Sequence, residues 1–157
     1  MRYSMNIEMN REKEIFYLST NGDDLFTGKL STTNKNRTDG PFKTITKVRD
    51  TIRELKKKNG LKKPITVMLR KGTYFLDQTI VFTPEDSGTE GCPITYMAYP
   101  GEKVVISGGK KTEEKWRKYN ENIWMINIPE IKKEKIYFRQ VWINGKRRFR
   151  ARCQLAP

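Results

Sequence analysis

The chain has 157 residues, enough for one domain of ordinary size or a piece of a larger one. It is 36% hydrophobic and 32% charged, with a formal net charge of +14. That excess favours polyanionic partners such as nucleic acid, acidic polysaccharide or an anionic membrane surface, and is equally the mark of a lysine-rich solvated face. Histidine is absent, which excludes a Ser-His or Cys-His catalytic pair and any His-ligated zinc or haem within this chain.

Residues 1–13 are polar and charged and read as a flexible leader. The first residues contain no run of seven apolar side chains, so they hold no secretory signal peptide. Nothing approaches the ~20 apolar residues of a membrane span. The expected location is cytoplasmic, or extracellular for a processed chain. "EIFYLST", 14–20, alternates as a strand should, and Asn21-Gly22 marks a turn. Residues 26–40 are polar and aperiodic, a long loop.

"PFKTITKVRDTIRELKKKNG", 41–60, predicts an amphipathic helix over about 42–58. Phe42, Ile45, Val48, Ile52 and Leu55 fall on one stripe. Pro41 suits the first helical turn, and Lys56, Lys57 and Lys58 suit the last, where the helix dipole favours cations. Asn59-Gly60 is a stop signal. One apolar stripe calls for a flat apolar surface beneath it.

Short strands are predicted at 65–70, 79–83, 94–99, 103–108, 122–128 and 138–152, the last broken by "NGK" at 144–146 as a hairpin turn. From 65 to 107 they start roughly 9–15 residues apart, too close for helical crossovers between successive parallel strands. An antiparallel sandwich and a solenoid with corners between strands both remain.

Three segments taken together carry a resemblance: "FYLSTNGDD", "GPFKTITKVRDTIREL" and "ITVMLRKGTYFLDQTIVFTPEDSGTEGCPITYMAYPGEKVVISGG". They resemble the N-terminal segment of right-handed parallel β-helix proteins of the pectate-lyase-like superfamily. The ending "FRQVWINGKRRFRARCQLAP" is similar to the subgroup of β-helix glycoside hydrolases active on plant cell-wall polysaccharides. The resemblance implies a mainly β fold with the helix 42–58 as a cap over the first coil, and residues 14–157 as cap and first coils of a truncated domain. Gly72 then permits a tight corner. It places the family's catalytic carboxylates and sugar groove on later coils, so no catalytic residue is carried over. It also implies two partners: the missing C-terminal coils and, through the full-length parent, a plant-type polysaccharide.

The candidate site residues are basic and aromatic. In Lys146, Arg147, Arg148, Arg150 and Arg152, strand geometry sends Arg148, Arg150 and Arg152 one way and Arg147 the other. Arginine forks pair with carboxylates, so such a row can grip uronic acids, with Trp142 as a stacking platform. The structural reading of the row is a charged edge against aggregation, or ion pairing with a further domain. Trp116, Trp124, Tyr137 and Phe138 have the chemistry to stack on sugar rings but read more simply as core or inter-domain packing. Glu85, Asp86 and Glu90, and Asp23 with Asp24, have cation-binding chemistry but read more simply as turn caps. Cys92 and Cys153 lack metal spacing and read as reduced, unpaired thiols. No cofactor and no metal are expected, and neither is a membrane or nucleic-acid partner. Two functions follow: a non-catalytic capping part of a polysaccharide-degrading β-helix hydrolase or lyase, or a binding module for acidic polysaccharide or another polyanion.

Overall fold

A computed structural model of the chain describes residues 13–133 and 138–149. It is mainly β, with small sheets and one substantial helix. The chain divides into two compact units, 1–110 and 111–157.

The first unit holds β1 (Glu14–Leu18), α1 (Ile45–Asn59), β2 (Ile65–Leu69), β3 (Gly72–Phe75), β4 (Ile94–Ala98) and β5 (Val104–Ser107). All its strand pairs are parallel. β1, β2 and β4 form one sheet in that order, and β3 pairs with β5 in another. Phe16 lies beside Val67 and Val67 beside Tyr96, while Leu18, Leu69 and Ala98 form the next row. Parallel pairing therefore joins strands distant in sequence, and the short connections link strands of different sheets. That removes the antiparallel sandwich from the first unit.

The core is Phe16, Leu18, Phe42, Ile45, Val48, Ile52, Ile65, Val67, Leu69 and Tyr74. Full burial of each such side chain contributes about 1.5–3 kcal/mol relative to exposure. The predicted stripe of α1 is buried in this cluster, with Leu55 half-buried at its margin.

The helix begins later than the sequence predicts, at Ile45 rather than Phe42. Phe42 is drawn instead onto the outer edge of β1, and the Pro41 carbonyl accepts from the Asp23 amide in the turn beyond it. The Phe42 amide donates to the Tyr17 carbonyl, and the Phe42 carbonyl accepts from the Ser19 amide. Thr44 is the N-cap, its hydroxyl accepting from the Lys47 amide at 3.1 Å. Asp24 fixes that cap by accepting from the Lys43 and Thr44 amides and the Thr44 hydroxyl. Asp23 accepts from the Leu25 amide. Both aspartates are thus occupied as caps.

The strand predicted at 79–83 does not form; β3 at Gly72–Phe75 takes its place. Gly72 has φ 146°, and a Cβ there would lie 2.8 Å from the Thr20 side chain, so the corner needs glycine. Tyr74 is the buried residue of β3. Residues 79–83 find no partner strand among the described residues, and the Val81 carbonyl accepts from Arg49 of α1.

The second unit holds β6 (Arg117–Lys118), β7 (Trp124–Met125), α2 (Pro129–Lys133), β8 (Val141–Ile143) and β9 (Lys146–Arg148). Its ladders are antiparallel, β6 with β7 and β8 with β9. The strand predicted at 122–128 shrinks to two residues. The hairpin turn predicted at 144–146 forms one residue shorter, at Asn144-Gly145, with φ 52° and 72°, the paired positive values of a type I′ hairpin, and Lys146 opens β9. No helix among the described residues is long and apolar enough to cross a membrane. Most of the leader, and Tyr137, Arg150, Arg152 and Cys153, lie outside the described residues.

Candidate functional site

The acidic candidates of the first unit are committed to the fold. Pro84–Asp86 forms a 3-10 turn beneath α1. Arg53 of α1 forks onto Asp86, with Nε at 2.7 Å from Oδ1 and Nη2 at 2.6 Å from Oδ2. Asp86 also accepts from the Thr83 amide at 2.7 Å. Glu85 pairs with Lys57 at 3.1 Å, and Lys56 donates to the carbonyls of Glu85 and Ser87. The lysine-rich end of α1 is thereby a clasp on the turn. Among the described residues no cluster of three or more Cys, Asp or Glu can hold a metal.

Arg53, the largest influence, holds the Asp86 carboxyl well below the usual carboxylate range, with the Thr83 amide adding to it and burial opposing. A carboxylate depressed in the folded state contributes stability that is whole above its unfolded value of about 3.9 and is lost as pH falls toward the folded one. Denaturant unfolding of the parent and of Asp86→Asn should therefore differ most at neutral pH and converge below about pH 4. A gap that stays constant down to about pH 2 would show that the pair adds no pH-dependent stability.

A second clasp ties β2 to the corner before β5. The Arg70 guanidinium forks onto Glu102, with contacts of 2.9 Å from Nε and from Nη2, and Nη1 donates to the Ser31 carbonyl at 2.6 Å. Arg70 holds the Glu102 carboxyl low. Tyr74 sits beneath, its hydroxyl 2.8 Å from the Arg70 carbonyl and 3.1 Å from the Leu18 carbonyl. Burial pushes its pKa up to about 12, so it stays protonated as a structural donor. Burial likewise pushes Tyr96 up to about 12. None of these groups is poised for proton transfer near neutral pH.

Cys92 is a half-buried free thiol, its amide donating to the Thr89 carbonyl in a tight bridge. The spacing "TEGC" at 89–92 marks a turn, and the structure makes it one.

The remaining candidates lie on the β8–β9 hairpin. Trp142 stands directly opposite Arg147, Val141 opposite Arg148, and Ile143 opposite Lys146. Directly opposed residues share a face. Trp142 and Arg147 are therefore on one face, and Arg148 is on the other with Val141 and Ile143. The sequence grouping of Trp142 with Arg148 is not the one the hairpin assembles. Arg147, placed apart from that row in sequence, is the arginine beside the tryptophan. Trp142 is 60% exposed, and Arg147 and Arg148 are exposed too. Cross-strand pairing across a two-residue Asn-Gly turn was the available signal: the turn alone sets 142 against 147.

No protein-family model matches the chain, and no curated protein sequence does. Among solved structures, a glycoside hydrolase is similar, with a TM-score of 0.73 and 31% sequence identity over 88% of this chain. The match covers 22% of that hydrolase, so the chain spans about a fifth of the length of the enzyme it resembles. It extends over more residues than 1–110 supply, and so includes part of the second unit. The chain has a glycoside-hydrolase-like fold, mainly β, assembled on parallel strands and one amphipathic helix.

Proposed function

We infer that residues 14–110 are the closing cap and first coils of a right-handed parallel β-helix, in a protein that acts on polysaccharide as a glycoside hydrolase. The observation that carries this is a gradient of cover along the stacked rows. At the α1 end, Phe16, Leu18, Ile65, Val67 and Leu69 are buried. At the β4 end of the same rows, Ile94 and Tyr96 are only half-buried and Ala98 is exposed. Tyr74 is 5% exposed, whereas its stacking neighbour Ile106 is 54% exposed. Met97 and Val105 are exposed on the same outer strands. One end is finished and the other presents apolar side chains and strand edges to a further coil.

Corresponding positions recur about 30 residues apart, Ile65 to Ile94 and Gly72 to Val104, as in a solenoid repeat. Right-handedness follows from the strong chirality rule for parallel crossovers. The role of this segment is structural: its best-placed carboxylates are ion-paired clasps, and the chain alone is expected to turn over no polysaccharide. The likeness to a glycoside hydrolase supports a carbohydrate substrate.

A chimera tests the reading. Residues 14–110 replace the matching segment of the similar glycoside hydrolase. The chimera should unfold cooperatively and keep hydrolysis within about tenfold of the parent. Adding Ile52→Asp, which puts a charge into the helix–coil contact, should abolish soluble expression. A chimera that stays folded and active with α1 deleted would overturn the capping role.

A further inference from the structure

We propose that the open face of the β8–β9 hairpin, built by Trp142 and Arg147, is a binding site for a sugar acid within an acidic polysaccharide. For its choice of ligand the proposal rests on the carbohydrate reading above.

The hairpin is held by a type I′ turn, so its register is fixed. In a two-residue hairpin Ile143 and Lys146 flank the loop and exchange both backbone bonds. The next pair, Trp142 and Arg147, is then a non-hydrogen-bonded pair, in which opposed side chains stand closest. Their Cβ atoms are about 4.5–5.5 Å apart. An indole face and a guanidinium fork thus start side by side, about the breadth of one pyranose ring.

The two groups are also free. On the first unit's core elements Arg49, Arg53 and Arg70 are each paired with a carboxylate, on Asp50, Asp86 and Glu102. Among the described residues no carboxylate pairs with Arg147, and no cation stacks on Trp142. A tryptophan is highly buried on average, and an arginine is normally paired where it is buried, as Arg49, Arg53 and Arg70 largely are. Here Trp142 and Arg147 are both exposed, Trp142 at 60% against 38% for Val141 on the other face.

The chemistry that fits is a planar apolar ring face bearing a carboxylate at its edge. The indole takes the C–H face of the sugar, and the guanidinium takes the carboxylate in two parallel hydrogen bonds. The surrounding charge is of the right sign. Residues 111–157 carry thirteen Lys or Arg against five Asp or Glu, so more than half of the chain's +14 lies in its last third. A nucleic acid would also find charge and an aromatic platform here. The sugar acid is favoured because the glycoside-hydrolase likeness extends into this unit.

The test is titration of the full chain with a galacturonate oligosaccharide, the matching neutral galactose oligosaccharide, and single-stranded DNA, at about 0.15 M salt. The expected result is saturable binding of the galacturonate oligomer, at least tenfold tighter than either alternative. Trp142→Ala and Arg147→Gln should each weaken it at least tenfold. Arg147→Lys should weaken it nearly as much as Arg147→Gln, because an ammonium keeps the charge but loses the fork. Lys111→Gln, which removes one exposed charge from the same unit, should change it less than threefold. Circular dichroism establishes that each variant keeps the parent fold. No galacturonate binding, equal binding of DNA, or equal losses for Lys111→Gln and Arg147→Gln with none for Trp142→Ala would overturn the proposal. The chimera above contains only residues 14–110, so failure of this site leaves the capping result readable, and the reverse holds too.

Discussion

Phe42→Ala is expected to destabilise the chain by about 3–5 kcal/mol, the cost of emptying a buried aromatic site. Phe42 is 2% exposed and joins three parts of the first unit. Its ring stacks on Phe16 with centroids 6.0 Å apart, it lies against Gly28, and its backbone closes the outer edge of β1. Relative to a typical total of about 5–15 kcal/mol, such a loss leaves a large unfolded fraction or a sharply lowered midpoint. Denaturant unfolding followed by far-UV circular dichroism measures it. Leu25→Ala is the control: Leu25 is 92% exposed, so its loss should stay within about 0.5 kcal/mol. A loss under about 1 kcal/mol for Phe42→Ala would mean that the 16/42 contact is not part of the core.

Gly28→Ala is the second large effect, at about 2–5 kcal/mol from positive-φ strain and overpacking together. Gly28 has φ 70°, and a Cβ there would stand 2.2 Å from the Phe42 ring. The glycine cannot withdraw, because its carbonyl accepts from the Tyr17 amide and its amide donates to the Gly40 carbonyl. Gly60 has nearly the same φ, 68°, but nothing within 4 Å of its would-be Cβ. Gly60 also has ψ 172°, a conformation that side chains rarely adopt, so Gly60→Ala carries a backbone cost alone, about 1–3 kcal/mol. Equal losses at the two sites would show that the Phe42 ring gives way freely to a Cβ at Gly28.

The helix was legible in sequence because its signal is local. Ile45, Val48, Ile52 and Leu55 repeat at the helical period, and three of the four are buried. Its start was not, because Pro41 and Phe42 carry helix-compatible chemistry, yet Phe42 bonds to Tyr17 and Ser19, more than twenty residues earlier, and Pro41 to Asp23. The same distance hid the sheet. Glu14 pairs with Ile65 and Ile65 with Ile94, and nothing in the side chains at those positions advertises partners so far away. Residues 79–83 looked like a strand because "TIVFT" is apolar and β-branched. β3 looked like a corner because it opens on Gly72. Pairing decided both, since Val104–Ser107 offers a partner to 72–75 alone. The clasps Arg53–Asp86 and Arg70–Glu102 each join residues more than thirty apart, so Asp86 read as a turn cap, Glu102 carried no signal, and the cations of both stayed invisible. At the hairpin the sequence did contain the answer. The Asn-Gly turn fixes which residues face each other, and strand alternation within 146–152 alone does not.

Residue-resolved amide hydrogen exchange distinguishes a stack closed at its β1 edge and open at its β4 edge from one covered at both. On β1 the outward amides of Tyr17 and Ser19 donate to the Gly28 and Phe42 carbonyls. On β4 the Tyr99 amide that follows the strand donates inward to the Leu69 carbonyl, which sets the parity. Thr95 and Met97 therefore point toward β2, while Ile94, Tyr96 and Ala98 point away from it. Exchange is expected to be slow at Tyr17, Ser19, Thr95 and Met97, and at least a hundredfold faster at Tyr96 and Ala98. Equal protection at 95, 96, 97 and 98 would mean that the β4 edge is already covered, and would contradict the open end on which the capping reading depends.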